Sequence, residues 1–534
     1  MSAPVYLDYA ATTPVDPAVA RAMGHVLGVE GDFGNAASVT HVFGRRAGAR
    51  VEAARAQVAA LIGALPGDVV FTSGATESNN LAVLGIARAS AGKTRHVVTS
   101  KIEHKAVLDP CKQLEREGFV VTYVAPDSSG RVQPDALRAA LRADTVLVSV
   151  MHANNEIGVI QDIRAIGEIC RDRGIPFHVD AAQSVGKLPV DVGSLPVDLL
   201  SFTAHKIYGP KGIGALYVRP SVRPALSPVT FGGGQERGLR PGTLPTHQIV
   251  GFGVACELAA GALATEPARL EALRDRLWRA LGRIEGVHFN GEAAPRLPGI
   301  LNLSFEGVEG ESLVTALGSV AVSTGSACSS ASGDPSYVLR ALGRSTQLAQ
   351  SSLRFSFGRG TSEADIDTAA AAVQLQVERL RAVSPAGSGH LPPPPQGYVS
   401  DGQTDPLDTL SPLARRYFDA LPGAGSMAPG ADVVQGSAGG PAAEAWVRFH
   451  LGINRRNGEG IVKAALFQAY GCPHTLAVMA WLTGQLPGRS IADLVPGTPS
   501  AWLEALEVPL EKLGRLLVVE DALRAAYQHW NEAP

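Results

Sequence analysis

Short β-rich runs alternate with helical stretches along the first two thirds of the chain, and this alternation limits the fold more than any other feature. The runs are HVVTS (96–100), VVTYVA (120–125), TVLVSVM (145–151), FHVDAAQ (177–183), DLLSFTAHK (198–206) and GIGALYVRP (212–220). Helical segments such as Lys105–Glu117 and Ile163–Arg173 lie between several of them. Strand–helix alternation of this kind predicts a parallel sheet covered by helices. In such sheets ligands gather at the carboxyl ends of the strands. Here the runs end at His104, Asn154-Asn155, Asp180 and His205-Lys206, so polar chemistry collects where a site belongs.

Residues 1–383 read as this α/β module. Residues 384–410, SPAGSGHLPPPPQGYVSDGQTDPLDTL, carry a Pro4 run and no Lys or Arg, the composition of a linker. Residues 411–534 regain globular composition, with an α+β pattern and helices expected at 473–484, 499–507 and 510–530. The whole chain has 47 basic and 50 acidic residues, a net charge of −3, which supplies no bulk field for nucleic acid or an anionic membrane. No apolar run is long enough to span a bilayer, and the opening MSAPVYLDYAATTP does not read as a secretory signal. Five scattered cysteines, none in CxxC spacing, argue against a disulfide framework or zinc site and favour a reducing cytoplasm.

Several constellations carry chemistry. Lys206, at a strand end in Thr203-Ala204-His205-Lys206 and before a Gly-rich turn, is a candidate Schiff-base lysine; partial burial would make its amine nucleophilic. Taken alone, a lysine is far more often a solvated surface charge. Asp180 in HVDAAQ could hold a pyridinium nitrogen protonated, as pyridoxal phosphate requires, or could simply cap the next helix. Ser73-Gly74-Ala75-Thr76-Glu77-Ser78 follows a strand-like VVFT and opens a helix, which suits either a phosphate or an ordinary capped start.

Cys328 lies among small residues, STGSACSSASGDP, with no apolar neighbours to bury it. Such a setting suits an exposed, travelling nucleophile better than an inert core thiol. Cys111, Cys170 and Cys256 sit in helix-like contexts and are assigned to packing. Arg354 could grip a carboxylate with its fork, or be a surface arginine on a strand. Two nucleotide-like patterns fail: Ala87 stands where a Walker loop needs its first glycine, and Gly232-Gly233-Gly234 lacks the GxGxxG spacing.

YLDYAATTP, FGNAAS, FTSGATES, SKIEHKAVLD, MHANNEIGVIQDI, HVDAAQSVGKLPVD, TAHKIYGPKGIGALYVR, GGGQERGLRPGT, GSACSSAS and PSYVLRALG together resemble the cysteine desulfurases of the IscS/NifS type, from residue 4 to about 384. The resemblance implies the pyridoxal-phosphate-dependent aspartate-aminotransferase fold (fold type I). It would have a large sheet domain at about 15–260, a small domain built from both chain ends, and a homodimer. It implies that Lys206 binds the cofactor covalently, that Asp180 pairs with the ring nitrogen and Gln183 with the ring hydroxyl, and that His104 stacks on the ring and moves protons. Ala75, Thr76, Thr203 and His205 would hold the phosphate, with Thr243 reaching in from the partner subunit. Asn155 and Arg354 would bind the carboxylate of L-cysteine, and Cys328 would take its sulfur as a persulfide, leaving L-alanine. One departure is Pro241, where the family usually has serine; it removes an N–H beside Thr243.

The second module resembles, more weakly, the IscU-type iron–sulfur scaffolds, through Ala469-Tyr470-Gly471-Cys472 and the late run from Val519 to Ala526. Of that family's ligands only Cys472 is present, too few to hold a cluster that wants about four. The sequence thus leaves two readings of this module: Cys472 accepts sulfur from Cys328 in cis on the way to iron–sulfur assembly or another acceptor protein, or the module is a non-catalytic docking domain. For the first module the alternatives are a selenocysteine lyase or an aminotransferase, which the setting of Cys328 argues against.

Overall fold

The computed structural model describes residues 4–90, 95–324, 335–383, 410–430, 432–440, 445–456 and 459–532. Seven strands form the main sheet, in the order 69–72, 214–218, 199–203, 177–180, 145–149, 96–100, 120–124. Neighbours are parallel except around Gly214–Val218, which runs antiparallel to both of its partners. The inner strands are buried along their whole length. That explains their largely apolar sequences, because helices cover both faces of such a sheet, and the buried His178 is bonded to Ser149 and Ser201 of the neighbouring strands. Only the edge strand Val120–Val124 keeps exposed and half-buried positions.

The helix Ala75–Ala89 buries nine of its residues against this sheet. It enters through Gly74, whose φ of 155° is open to glycine alone. Gly214 lies opposite: a Cβ there would meet Gly74 Cα at 2.7 Å, so two glycines let the strand and the helix start approach closely.

A second, antiparallel sheet orders strands 323–324, 352–356, 300–305 and 287–289. The N-terminal pair Val5–Tyr6 adds parallel to Val320–Ala321, so the chain start is built into this smaller layer. The long helix Glu363–Val383 packs beside it through Ile366, Ala369, Val373 and Val377.

Beyond residue 410 come a helix, Pro412–Ala420, and an antiparallel meander of Val433–Gly440, Ala445–Arg456 and Glu459–Tyr470. Helices Pro473–Thr483, Pro499–Leu506 and Leu513–Glu532 follow, each within a few residues of its expected span. The strand Val433–Gly440 is Gly- and Ala-rich, a composition that does not mark a strand by itself. Gly436 explains the composition: a side chain at that position would run into the backbone of Ala522 and Ala526, so glycine lets the last helix lie flat on the strand. This region is joined to the smaller layer through one continuous hydrophobic core that runs from Leu7 and Phe355 to Phe418, Phe449 and Leu523.

Candidate active site

The carboxyl ends of the parallel strands bring the candidate residues onto one edge. Lys206 closes the 3-10 turn Ala204–Lys206 directly after the strand Leu199–Thr203. Asp180 ends the adjacent strand, in register with Ser201. His104 and Asn155 follow the ends of the next strands, and Ala75-Thr76 open the helix on the far side of the sheet.

Lys206 Nζ donates to the carbonyls of Ala10 and Ala11, the latter at 2.6 Å. Gln183 Nε2 donates to the same Ala10 carbonyl at 2.9 Å. Residues 10–13 therefore form the floor on which the lysine rests. Thr12 Oγ1 lies 3.2 Å from His205 Nδ1, and Thr13 Oγ1 donates to the His205 carbonyl. Burial, with Lys206, Lys211 and Lys187 adding to it, pushes the His205 imidazole down to about 4.

Asp180 is 5% exposed and makes the capping contact its sequence allowed. Oδ1 accepts from the Ala182 N–H at 2.9 Å, as a turn cap would, and Oδ2 accepts from Asn79 Nδ2 at 2.7 Å. His104 caps its helix through Nδ1, which accepts from Ala106 N–H. Thr203 Oγ1 donates to the Ile213 carbonyl, which leaves its lone pairs as acceptors. At the helix start no side chain caps Ala75-Thr76; Glu77 instead accepts from Ser73 N–H at 2.5 Å and from Arg240 Nε at 3.0 Å. The Arg240 contact pins the GGGQERGLRPGT segment, including Pro241 and the exposed Thr243, beside this helix start.

Arg354 is 2% exposed. Nη1 donates to the Asn155 carbonyl at 2.8 Å, and Nη2 to Asp8 Oδ1 at 2.8 Å and Ser323 Oγ at 3.1 Å. Its buried Nε, like Asn155 Oδ1, has no hydrogen-bond partner among the described residues. Arg354 Nε is thus an unused donor and Asn155 Oδ1 an unused acceptor. The neighbouring Asn154 is structural: its side chain takes Glu156 and Ile157 N–H and donates to the Ile102 carbonyl.

Cys328 lies outside the described residues, but the segments on both sides of it are anchored at the site. Ser323, five residues before it, is held by Arg354. After it, Ser336 donates to Glu156 Oε2, and Tyr337 donates to the Glu103 carbonyl at 2.6 Å. These anchors adjoin Asn155 and His104 in the chain. Cys111, Cys170 and Cys256 are fully buried, with thiols pushed up by burial, as their packing assignment predicts.

Sequence reading gave no role to Asn79, Glu103, Lys187 or the carbonyls of Ala10 and Ala11. The last could not have been found, because a backbone acceptor has no sequence signature. Glu103 carried no signal either, because the start of SKIEHKAVLD is polar and a carboxylate there reads as a surface charge. It is fully buried, accepts from Ser100 Oγ at 2.5 Å and Met151 N–H at 2.9 Å, and is pushed up to about 8 by burial, with the Asp180 charge adding to the rise.

Cys472 is 0% exposed. It sits at the start of the helix Pro473–Thr483, with Sγ 3.4 Å from Thr475 Oγ1. The preceding Gly471 carbonyl accepts from Ser312 Oγ at 2.8 Å, and Lys512 Nζ lies 3.4 Å from Glu311 Oε1. Burial alone raises this thiol, but Arg515, a hydrogen bond with His474 and Lys512 outweigh it and hold the group well below the ordinary thiol range. No group of His, Cys, Asp and Glu that could hold a metal occurs among the described residues.

A lysine and a buried aspartate on adjacent strand ends, facing a glycine-mediated helix start, fit a ring cofactor bearing a phosphate. The leftover Arg354 Nε, a charged N–H donor, suits an amino-acid carboxylate, which can only accept. The fold and site define a pyridoxal-phosphate-dependent enzyme of fold type I, and the model of the class-V aminotransferases matches residues 5–368. "Cysteine desulfurase IscS" of Serratia proteamaculans is 59% identical over 385 residues, 72% of this chain and 95% of that protein. Its counterpart from Salmonella arizonae matches to the same extent. Among solved structures, a "NifS-like protein" is 37% identical, covering 71% of this chain and 99% of its own, with a TM-score of 0.65. "SspA in complex with cysteine" is 40% identical over 66% of this chain and 98% of its own, with a TM-score of 0.59. The chain belongs to the class-V aminotransferase family, and within it to the cysteine desulfurases of the IscS type; it is a pyridoxal-phosphate-dependent cysteine desulfurase.

Proposed function

We propose that this enzyme takes the sulfur of L-cysteine onto Cys328 and releases L-alanine. The contacts of Ser323 with Arg354, of Ser336 with Glu156 and of Tyr337 with the Glu103 carbonyl carry this reading, because they tie the described chain before and after Cys328 to residues of the site. When bound at Lys206, pyridoxal phosphate supplies an electron sink for carbanion chemistry next to the amino group of the substrate. Asp180 keeps the ring nitrogen protonated, and Gln183 donates to the ring oxygen. Ala75 and Thr76 N–H groups, with Thr203 and His205, bind the phosphate. Arg354 and Asn155 hold the substrate carboxylate. Lys206 takes the α-proton once its nitrogen is free, and His104 relays protons to and from the substrate. The Cys328 thiolate attacks the substrate sulfur; the carbon–sulfur bond breaks, its electron pair stays with the carbon, and protonation of that carbon leads to alanine.

The working form in this reading is a homodimer in the cytoplasm. Exposed Phe33, Phe43, Val39, Val42 and Phe231 support the dimer, since they leave large apolar side chains open to solvent, and Thr243, which would serve the phosphate of the other subunit, is exposed as well. The unpaired thiols of Cys111, Cys170, Cys256 and Cys472 support a reducing compartment.

We further divide the chain into a desulfurase at 1–383, a linker at 384–410 and a scaffold-related unit at 411–534 whose Cys472 accepts sulfur from Cys328. A linker of this length gives a tethered acceptor an effective concentration of about a millimolar. The depressed thiol of Cys472 supports the acceptor role. Its complete burial favours the second reading, a unit that docks and recruits rather than reacts. Peptide mapping after incubation with L-cysteine tests both. Sulfane sulfur on Cys472 that vanishes in Cys328→Ser supports the relay, and its absence from wild type supports docking alone.

A further inference from the structure

Gln183 is held from two sides. Its Nε2 donates to the Ala10 carbonyl at 2.9 Å, and its Oε1 accepts from Lys187 Nζ at 3.0 Å. A carboxamide is nearly symmetric in shape, so its orientation is set by its partners alone. The Ala10 carbonyl can only accept, and a lysine presents N–H donors, so the two contacts agree on one orientation. That orientation leaves the second N–H of Nε2 to be donated, and the flipped amide would put an oxygen in its place.

Lys187 has no charge partner at hydrogen-bond distance among the described ion pairs, and its head lines the same pocket as Lys206, Tyr208 and Glu266. Burial pushes its ammonium down to about 7, with Lys206 and Arg354 adding to the fall and Glu266 opposing it. A surface lysine would gain more solvation by leaving. This one spends its side chain on an amide oxygen four residues back along the chain, across the turn that Gly186 makes with φ of 74°.

We infer that Lys187 is a positioning residue for the cofactor: it fixes the Gln183 amide so that an N–H, never the oxygen, faces the ring oxygen of pyridoxal phosphate. The inference rests on the reading that Gln183 touches that ring oxygen. Its consequence is electronic. An N–H donated to the ring oxygen stabilises negative charge there and lowers the pH at which the visible band of the bound cofactor titrates.

The test is a double-mutant cycle on the cofactor-loaded protein, read as the pH midpoint of that band at fixed ionic strength. Lys187→Met and Gln183→Ala should each raise the midpoint by roughly 0.5–1 unit, the scale of one lost hydrogen bond. Lys187→Met should add nothing in the Gln183→Ala background. A purely structural role for Lys187 would change thermal stability without moving the midpoint, and a purely electrostatic one would shift it equally in both backgrounds; either result overturns the inference. Should Lys187→Met fold poorly, Lys187→Ala gives the same cycle, and zero coupling there overturns it as well. A Gln183→Ala protein with an unmoved midpoint would instead refute the reading of Gln183 itself.

Discussion

Arg354 Nη2 lies 2.8 Å from Asp8 Oδ1, so the guanidinium assigned to the substrate carboxylate already holds a carboxylate of its own chain. The same nitrogen holds Ser323 at the foot of the segment that carries Cys328. In the proposed role of Arg354, Asp8 would compete with substrate for one arm of the fork, with Nε left open. Asp8→Asn should weaken that competition and lower KM for L-cysteine several-fold. Arg354→Lys, which lacks the fork, should raise KM by tenfold or more, since losing a buried charge-assisted bond costs about 2 kcal/mol or above. Steady-state kinetics of the two variants separate these effects.

Glu103 titrates from its ordinary 4.5 up to about 8 in the folded chain. The folded state therefore binds its proton more tightly than the unfolded state does. Stability from this group is complete below about pH 4.5 and is lost as pH rises through 8. Glu103→Gln should remove that loss. Its unfolding free energy should fall less than that of wild type between pH 5 and 9, by up to about 4 kcal/mol, in urea melts across that range.

Cys472 is sealed by contacts between two parts of the chain, Ser312 with Gly471 and Glu311 with Lys512. In the native protein this thiol should react slowly with an aromatic disulfide reagent. The Glu311–Lys512 pair is partly exposed and is worth about 1 kcal/mol or less. Glu311→Lys, which adds repulsion, should raise the reaction rate of Cys472 several-fold through a larger open population. Reactivity that does not change would mean that these contacts do not govern access.

Much of the large sheet could be read from the chain. Strands buried on both faces are rich in apolar and β-branched residues, and the six runs named from sequence each contain a strand of the main sheet. Their polar ends fell at the site because strand direction alone decides which edge carries the loops. Partnerships that depend on long-range closure were not readable. The Asp8–Arg354 pair spans 346 residues, and the floor under Lys206 is made of backbone carbonyls. The strand Val433–Gly440 was hidden for a related reason: its glycines answer to a helix that comes some eighty residues later, not to local strand preference. Likewise the Lys187 contact with Gln183 is local in sequence but invisible without the turn at Gly186.

Lys206→Ala should abolish the visible band of the bound cofactor and alanine formation together, while leaving the fold intact, because the Lys206 ammonium holds the loop carbonyls of Ala10 and Ala11 rather than core groups. Absorbance and circular dichroism check both halves of that statement.

The most direct test of the account is to incubate the cofactor-loaded protein with L-cysteine without reductant, map persulfides by mass spectrometry and count alanine. The account predicts one sulfane sulfur on Cys328 for the first alanine released, and a Cys328→Ser protein that binds L-cysteine yet forms no alanine beyond background. Alanine formed at the full rate by Cys328→Ser would contradict it.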